Sequence, residues 1–209
     1  MRQPVNTWTH FVTFLAALVG MVALLVLSRG SASALITMSI YGSSVILLYG
    51  ASSLYHWVST TPGRQLVLRK LDHVAIFLLI AGTYTPVLYY GLEGWWRWSM
   101  LAAVWTLAAT GVFLKLWFIH APRFVSTAFY LALGWLAVVP LSRLVHTLPG
   151  EAVAFMAAGG VAYTLGAVIY ALRWPDFLPG RLGFHEVFHL FTSTGSVLHF
   201  VMMLYLLPT

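Results

Sequence analysis

The chain has 209 residues, of which 60% are hydrophobic and only 8% charged, where an ordinary soluble domain carries about 25% charged residues. That balance excludes a soluble enzyme, and nucleic acid is excluded as a partner because the net charge of +6 comes from eleven Lys and Arg residues scattered among apolar runs rather than gathered into a patch. Cysteine is absent, so disulfides and thiolate ligands are ruled out and any metal would rest on His, carboxylate or water.

At about 20 residues per crossing, this length accommodates six to eight helices with short loops. Residues 1–209 are therefore expected to form a single all-α, polytopic membrane domain. Met1 to Asn6 is a short polar lead, and Thr9 to Leu27 reads as the first span. The small residues of Arg29-Gly30-Ser31-Ala32-Ser33-Ala34 could pass for a signal-peptidase site, but the apolar run is longer than an ordinary signal core, and an uncleaved helix is expected. The second span, Leu35 to Val58, ends in Ser52-Ser53-Leu54-Tyr55-His56-Trp57 and is broken by Ser59-Thr60-Thr61-Pro62-Gly63. A basic loop with Arg64, Arg69 and Lys70 leads to a third span that Asp72 and His73 open and that reaches about Tyr90, with a kink expected at Pro86.

After the turn at Gly91 to Gly94, with Trp95, Trp96 and Trp98 as an aromatic belt, the fourth span covers Trp98 to Phe118. The fifth covers Val125 to Val145 and the sixth Glu151 to Leu172; the loop Arg173 to Arg181 precedes the seventh, Gly183 to Leu207. Seven spans put the N-terminus and the second, fourth and sixth loops on one side. Eight cations, Arg2, Arg64, Arg69, Lys70, Lys115, Arg123, Arg173 and Arg181, then face three, Arg29, Arg97 and Arg143. The positive-inside rule predicts a cytoplasmic N-terminus and an outside C-terminus.

Four metal-competent side chains share the predicted cytoplasmic leaflet. His185 and His189 lie four apart near the start of the seventh span, about 40° apart around the helix and about 6 Å along it. His56 ends the second span and Asp72 opens the third. Ionisable groups in spanning helices are costly and usually face a bundle interior or wet cavity with partners. Three neutral imidazoles with an open fourth position suit zinc. Asp72 would then stand beside an activated water, and Ser52, one turn before His56 on the same face, could orient a ligand, the water or a substrate oxygen. His185-Glu186-Val187-Phe188-His189 also matches H-E-x-x-H, the zinc-protease helix in which the glutamate is the base, so Glu186 competes with Asp72 for that role. Among the remaining histidines, His10 is expected to cap or line, His73 to pack or support, and His120 and His146 to face water. His199, about 15 Å deeper than His189, is expected to make a buried hydrogen bond.

The ordered set of Asn6 to His10, Ser52-Ser53-Leu54-Tyr55-His56, Leu71-Asp72-His73-Val74-Ala75-Ile76 through Gly82-Thr83-Tyr84-Thr85-Pro86, and His185-Glu186-Val187-Phe188-His189 with Ser196 and His199 resembles the haemolysin III proteins of the progestin and adipoQ receptor superfamily, in its compact bacterial form. The resemblance implies seven helices with a cytoplasmic N-terminus. It implies zinc held by the residues matching His56, His185 and His189, the residue matching Asp72 near the zinc water, and the one matching Ser52 beside it. It further implies a part in membrane lipid homeostasis and residence in a bacterial cytoplasmic membrane. The resulting expectation is a zinc-dependent hydrolase of an amide or ester bond in a lipid or fatty-acyl substrate, with Asp72 and Ser52 as catalytic groups. A non-enzymatic, zinc-stabilised sensor or regulator is the alternative, and a haemolysin-like pore the third reading.

Overall fold

A computed structural model describes residues 2–178 and 182–207, and every regular element among them is a helix. Helix α1 spans Pro4–Leu27, α2 Ala32–Trp57, α3 Pro62–Gly91 and α4 Gly94–Trp117. They are followed by α5 Arg123–Gly134, a 3₁₀ turn Trp135–Val138, α6 Leu141–Thr147, α7 Gly150–Leu172 and α8 Phe184–Tyr205. The boundaries follow local chemistry. Pro4 and Pro62 sit in the first turns of α1 and α3, where a missing N–H costs nothing. Ser31 caps α2 by accepting from the Ala34 N–H at 3.2 Å. Gly94 turns the chain into α4 with φ of +51°, a conformation that side chains with a Cβ resist.

Six of these helices are long and apolar enough to cross a membrane, and the bent pair α5/α6 would make a seventh. This is an integral membrane protein. The fifth predicted span, Val125 to Val145, is not one straight helix: its two parts meet at 54°, at a break holding Pro140, which has no N–H to continue the ladder. Exposed backbone is not tolerated in lipid unless other groups satisfy it. Here Tyr84 of α3 does so, its hydroxyl donating to the Gly134 carbonyl at 2.6 Å and accepting from the Ala137 N–H at 2.7 Å.

The third span begins ten residues before the expected position. Residues 64–71 contain no Gly or Pro and Pro62-Gly63 are accommodated in the first turn, so Arg64, Arg69 and Lys70 lie on the first turns of α3 and Asp72 lies within the helix rather than at its start. The helix also continues unbroken through Pro86 to Gly91. Arg181 falls outside the described residues.

The hydrophobic effect does little to join helices in lipid, where close packing of small residues and interhelical hydrogen bonds take over. Gly82 of α3 lies so close to α2 that a Cβ there would stand 2.3 Å from Ser44 Oγ. Val12, Val19 and Val22 of α1 face outward, as a lipid-facing surface requires. Helix α3 packs between α2 and α4, and α1 packs against both α2 and α8. The ends of α1, α2 and α8 thus meet at one end of the bundle.

Candidate metal centre

At that end, His56, His185 and His189 each present a ring nitrogen, and the three atoms lie within 4.8 Å of one another. His56 and His189 are buried and His185 is half-buried. The rings meet edge to face, with centroids 4.9 Å apart for His56 and His189 and 5.2 Å for His56 and His185. His185 packs edge-on against Tyr170, centroids 5.5 Å apart, and the Arg123 guanidinium covers the Tyr170 ring at 4.4 Å.

The position of His56 depends on the residues before α1. The last four carbonyls of a helix have no partner within it, and at the end of α2 all four are satisfied. Val58 N–H donates to Leu54 O, Arg2 Nη2 and Gln65 Nε2 to Tyr55 O, Gln3 N–H to His56 O, and Arg2 N–H to Trp57 O, at 3.0–3.2 Å. The Gln3 side-chain carbonyl also accepts from His56 Nδ1. Thr9 plays the matching part for His189. Its hydroxyl proton goes to Val5 O at 2.9 Å, which leaves the oxygen facing His189 Nδ1 at 3.4 Å. With Nδ1 held in both rings, Nε2 is the free nitrogen of each. An outer partner that fixes the tautomer and orientation of a ligating imidazole is the usual second layer of a metal site. The donor set fits a tetrahedral metal with one position left open.

Asp72 is not among the atoms that meet within 4.8 Å. Its Oδ2 lies 3.4 Å from His73 Nδ1. Ser52 is buried against His10, its hydroxyl 2.8 Å from Nδ1. The Thr192 hydroxyl donates to the His189 carbonyl at 2.9 Å, so its oxygen is the acceptor for His10 Nε2 at 3.3 Å. That arrangement makes Ser52 the donor to His10. The His10 ring in turn lies flat on His189, centroids 3.6 Å apart and planes within 7°.

Glu186 is not a member of that cluster. Its Oε2 accepts from the Gly183 N–H at 2.9 Å, closing the first turn of α8, and its Oε1 accepts from Asn6 Nδ2 at 2.7 Å. Deeper in the bundle, Tyr49 and Tyr163 hydroxyls both bond Ser196 Oγ, at 2.7 and 2.6 Å. His199 Nε2 reaches the Met156 carbonyl at 3.3 Å. His120 is exposed, and exposed His146 bonds back to Ser142 O.

The family described as "Haemolysin-III related" matches residues 1–200. The chain belongs to the haemolysin III family. This haemolysin III protein is 36% identical over 208 residues to "Hemolysin-3" of Bacillus cereus, covering 98% of this chain and 91% of that one. It is 32% identical over 202 residues to "Hemolysin-3 homolog" of Bacillus subtilis, covering 96% and 92%. A more distant relative, "Adiponectin receptor protein" of Drosophila melanogaster, is 28% identical over 218 residues, covering 93% of this chain and 48% of the receptor. The haemolysin III chain is thereby joined to the progestin and adipoQ receptor superfamily.

Sequence reasoning gave no role to Gln3 or Thr9, and gave His10 only a capping or lining one. All three come from the first ten residues, which have no metal-ligand spacing of their own. Gln3, Asn6, Thr9 and His10 do recur at three- and four-residue intervals, so one polar face on an otherwise apolar helix was the available signal.

Proposed function

We propose that this haemolysin III protein is a zinc-dependent membrane hydrolase that cleaves an amide or ester bond of a lipid, with a part in membrane lipid homeostasis. The observation that carries this reading is the convergence of three histidine donors, two of them oriented through their outer nitrogens, with the Asp72 carboxylate left outside that cluster, beside His73. When bound, zinc polarises a carbonyl oxygen and brings the pKa of water toward about 7. Asp72 takes the proton of the attacking water as its oxygen bonds to the carbonyl carbon. Asp72 then returns that proton to the departing amine or alcohol oxygen as the C–N or C–O bond breaks. Of the two roles open to Ser52, oxyanion support or support of a ligand, its hydrogen bond to His10 favours the second.

We read α5 and α6 as one bent crossing, which gives seven spans. The excess of cations on the side of the His cluster then supports a cytoplasmic N-terminus and a site reached from the inner leaflet of a bacterial cytoplasmic membrane. A second reading, a zinc-stabilised sensor or regulator without turnover, is favoured by one observation. Helices α2 and α8 share little close backbone packing, and a metal on His56, His185 and His189 would staple them.

Purified protein is expected to carry about one zinc per chain and to release fatty acid from a ceramide or another acyl lipid. Asp72→Ala is expected to keep the zinc and lose the release; retained release would remove Asp72 from the mechanism. Absence of turnover across a broad lipid panel, with a fall in melting temperature on chelation, would select the second reading.

A further inference from the structure

His10 of α1 is only 4% exposed, and both of its ring nitrogens are engaged. Nδ1 faces the Ser52 hydroxyl of α2 at 2.8 Å, and Nε2 faces the Thr192 hydroxyl of α8 at 3.3 Å. Because the Thr192 proton is committed to the His189 carbonyl, Nε2 carries the ring hydrogen and Nδ1 accepts from Ser52. Tyr49 of α2 packs edge-on against the same ring, centroids 4.8 Å apart. Side chains of α2 and α8 thus hold an imidazole of α1 in one plane.

That plane is also the plane of His189. The two rings lie 3.6 Å apart and within 7° of parallel, so turning the His189 ring about its Cβ–Cγ bond would drive it into His10. Thr9, the residue before His10, meets the edge of the His189 ring at Nδ1. One turn of α1 therefore restrains this ring both at its face and at its edge. A working site needs its groups held to within about 10–20° of the productive direction, and a ring free to turn does not meet that demand.

We propose that His10 is a positioning residue of the metal centre: locked by Ser52 and Thr192, its imidazole fixes the ring plane of His189 and so keeps the free nitrogen of His189 in register with those of His56 and His185. Ser52 then bears on the centre through His10, by the hydrogen bond that sets the His10 ring. The assignment rests on the metal-binding part of the function proposed above and is independent of lipid turnover.

Zinc affinity, from competition with a chelator, and the visible d–d spectrum of the Co(II)-loaded full chain in detergent test it. His10→Leu fills the space with neither a flat group nor a hydrogen bond. His10→Gln restores a flat amide that can accept from Ser52 and donate to Thr192. His10→Leu is expected to bind zinc roughly tenfold or more weakly, with Co(II) bands shifted and weakened as the tetrahedral geometry is lost. Thr192→Val, which removes the acceptor for Nε2, is expected to bind several-fold more weakly, and His10→Gln to recover most of the affinity and the wild-type spectrum. A role confined to packing predicts the opposite order, with leucine tolerated and glutamine not. Wild-type affinity and spectrum in His10→Leu, or a His10→Gln no better than His10→Leu, would overturn the assignment. Melting temperatures in excess chelator establish that each variant folds. If His10→Leu does not fold, Thr192→Val decides, and wild-type affinity there overturns the assignment. Neither readout depends on turnover, so a chain that binds zinc and hydrolyses no lipid fails the hydrolase reading alone. A wild type that gives no Co(II) spectrum, or one that His56→Ala leaves unchanged, removes the metal centre and the role of His10 together.

Discussion

Glu186 stands between two histidines in a pattern that elsewhere marks a catalytic base, yet both its oxygens are occupied by the Gly183 N–H and the Asn6 amide. Its geometry is that of a cap, which typically contributes about 1 kcal/mol. Glu186→Gln keeps one acceptor and is expected to retain zinc and any lipid turnover, whereas Asp72→Asn is expected to abolish turnover. Parallel activity and metal assays on the two variants separate the roles, and loss of activity in Glu186→Gln with zinc still bound would restore the protease-like assignment. Gln3 is hydrogen-bonded to His56 at Nδ1 and at the backbone carbonyl. Removing such an outer partner commonly weakens metal affinity by about 10–100-fold. That loss is expected for Gln3→Ala and is measurable by competition against a chelator of known affinity.

At the level of elements, the bent α5/α6 pair depends on a side chain from another helix. Tyr84 supplies both a donor and an acceptor to the broken backbone. Tyr84→Phe keeps the ring and removes the hydroxyl that bonds both the Gly134 carbonyl and the Ala137 N–H, a loss of roughly 1 kcal/mol per hydrogen bond. A clear fall in melting temperature in detergent is expected, and an unchanged value would show that the break is satisfied otherwise. The junction of α1 with α2 follows the same logic. Backbone donors of Arg2 and Gln3 complete the end of the helix that carries His56, so the polar lead is part of the site's scaffold.

For the molecule as a whole, a metal that binds only the folded chain stabilises it by about 2.7 kcal/mol at a hundredfold excess over its dissociation constant. Chelation is therefore expected to lower the melting temperature of wild type and to leave that of His189→Ala unchanged. Equal sensitivity in both would dissociate stability from the three-histidine centre. Because the chain has no cysteine, membrane orientation can be read without background. A cysteine at Thr60 is expected to resist an impermeant thiol reagent added from outside, and one at Glu93 to react.

Membrane residence, the helical class and the set of polar residues were legible in the sequence because they depend on local quantities: apolar run length, breakers, and the cost of placing His or Asp among apolar neighbours. The spacing of His185 and His189 belongs to one helix and could be read from its period. What His56 meets, and what Asp72 does not join, depend on how α2, α3 and α8 pack, as do the break in the fifth span and the start of α3 at Pro62. The same holds for Gln3, Thr9 and His10. With Asn6, their three- and four-residue spacing marks a polar face of one helix, but the groups they bond lie 42 to 182 positions away, and partners at that separation leave no period in a sequence, so only the tertiary structure discloses what each one meets.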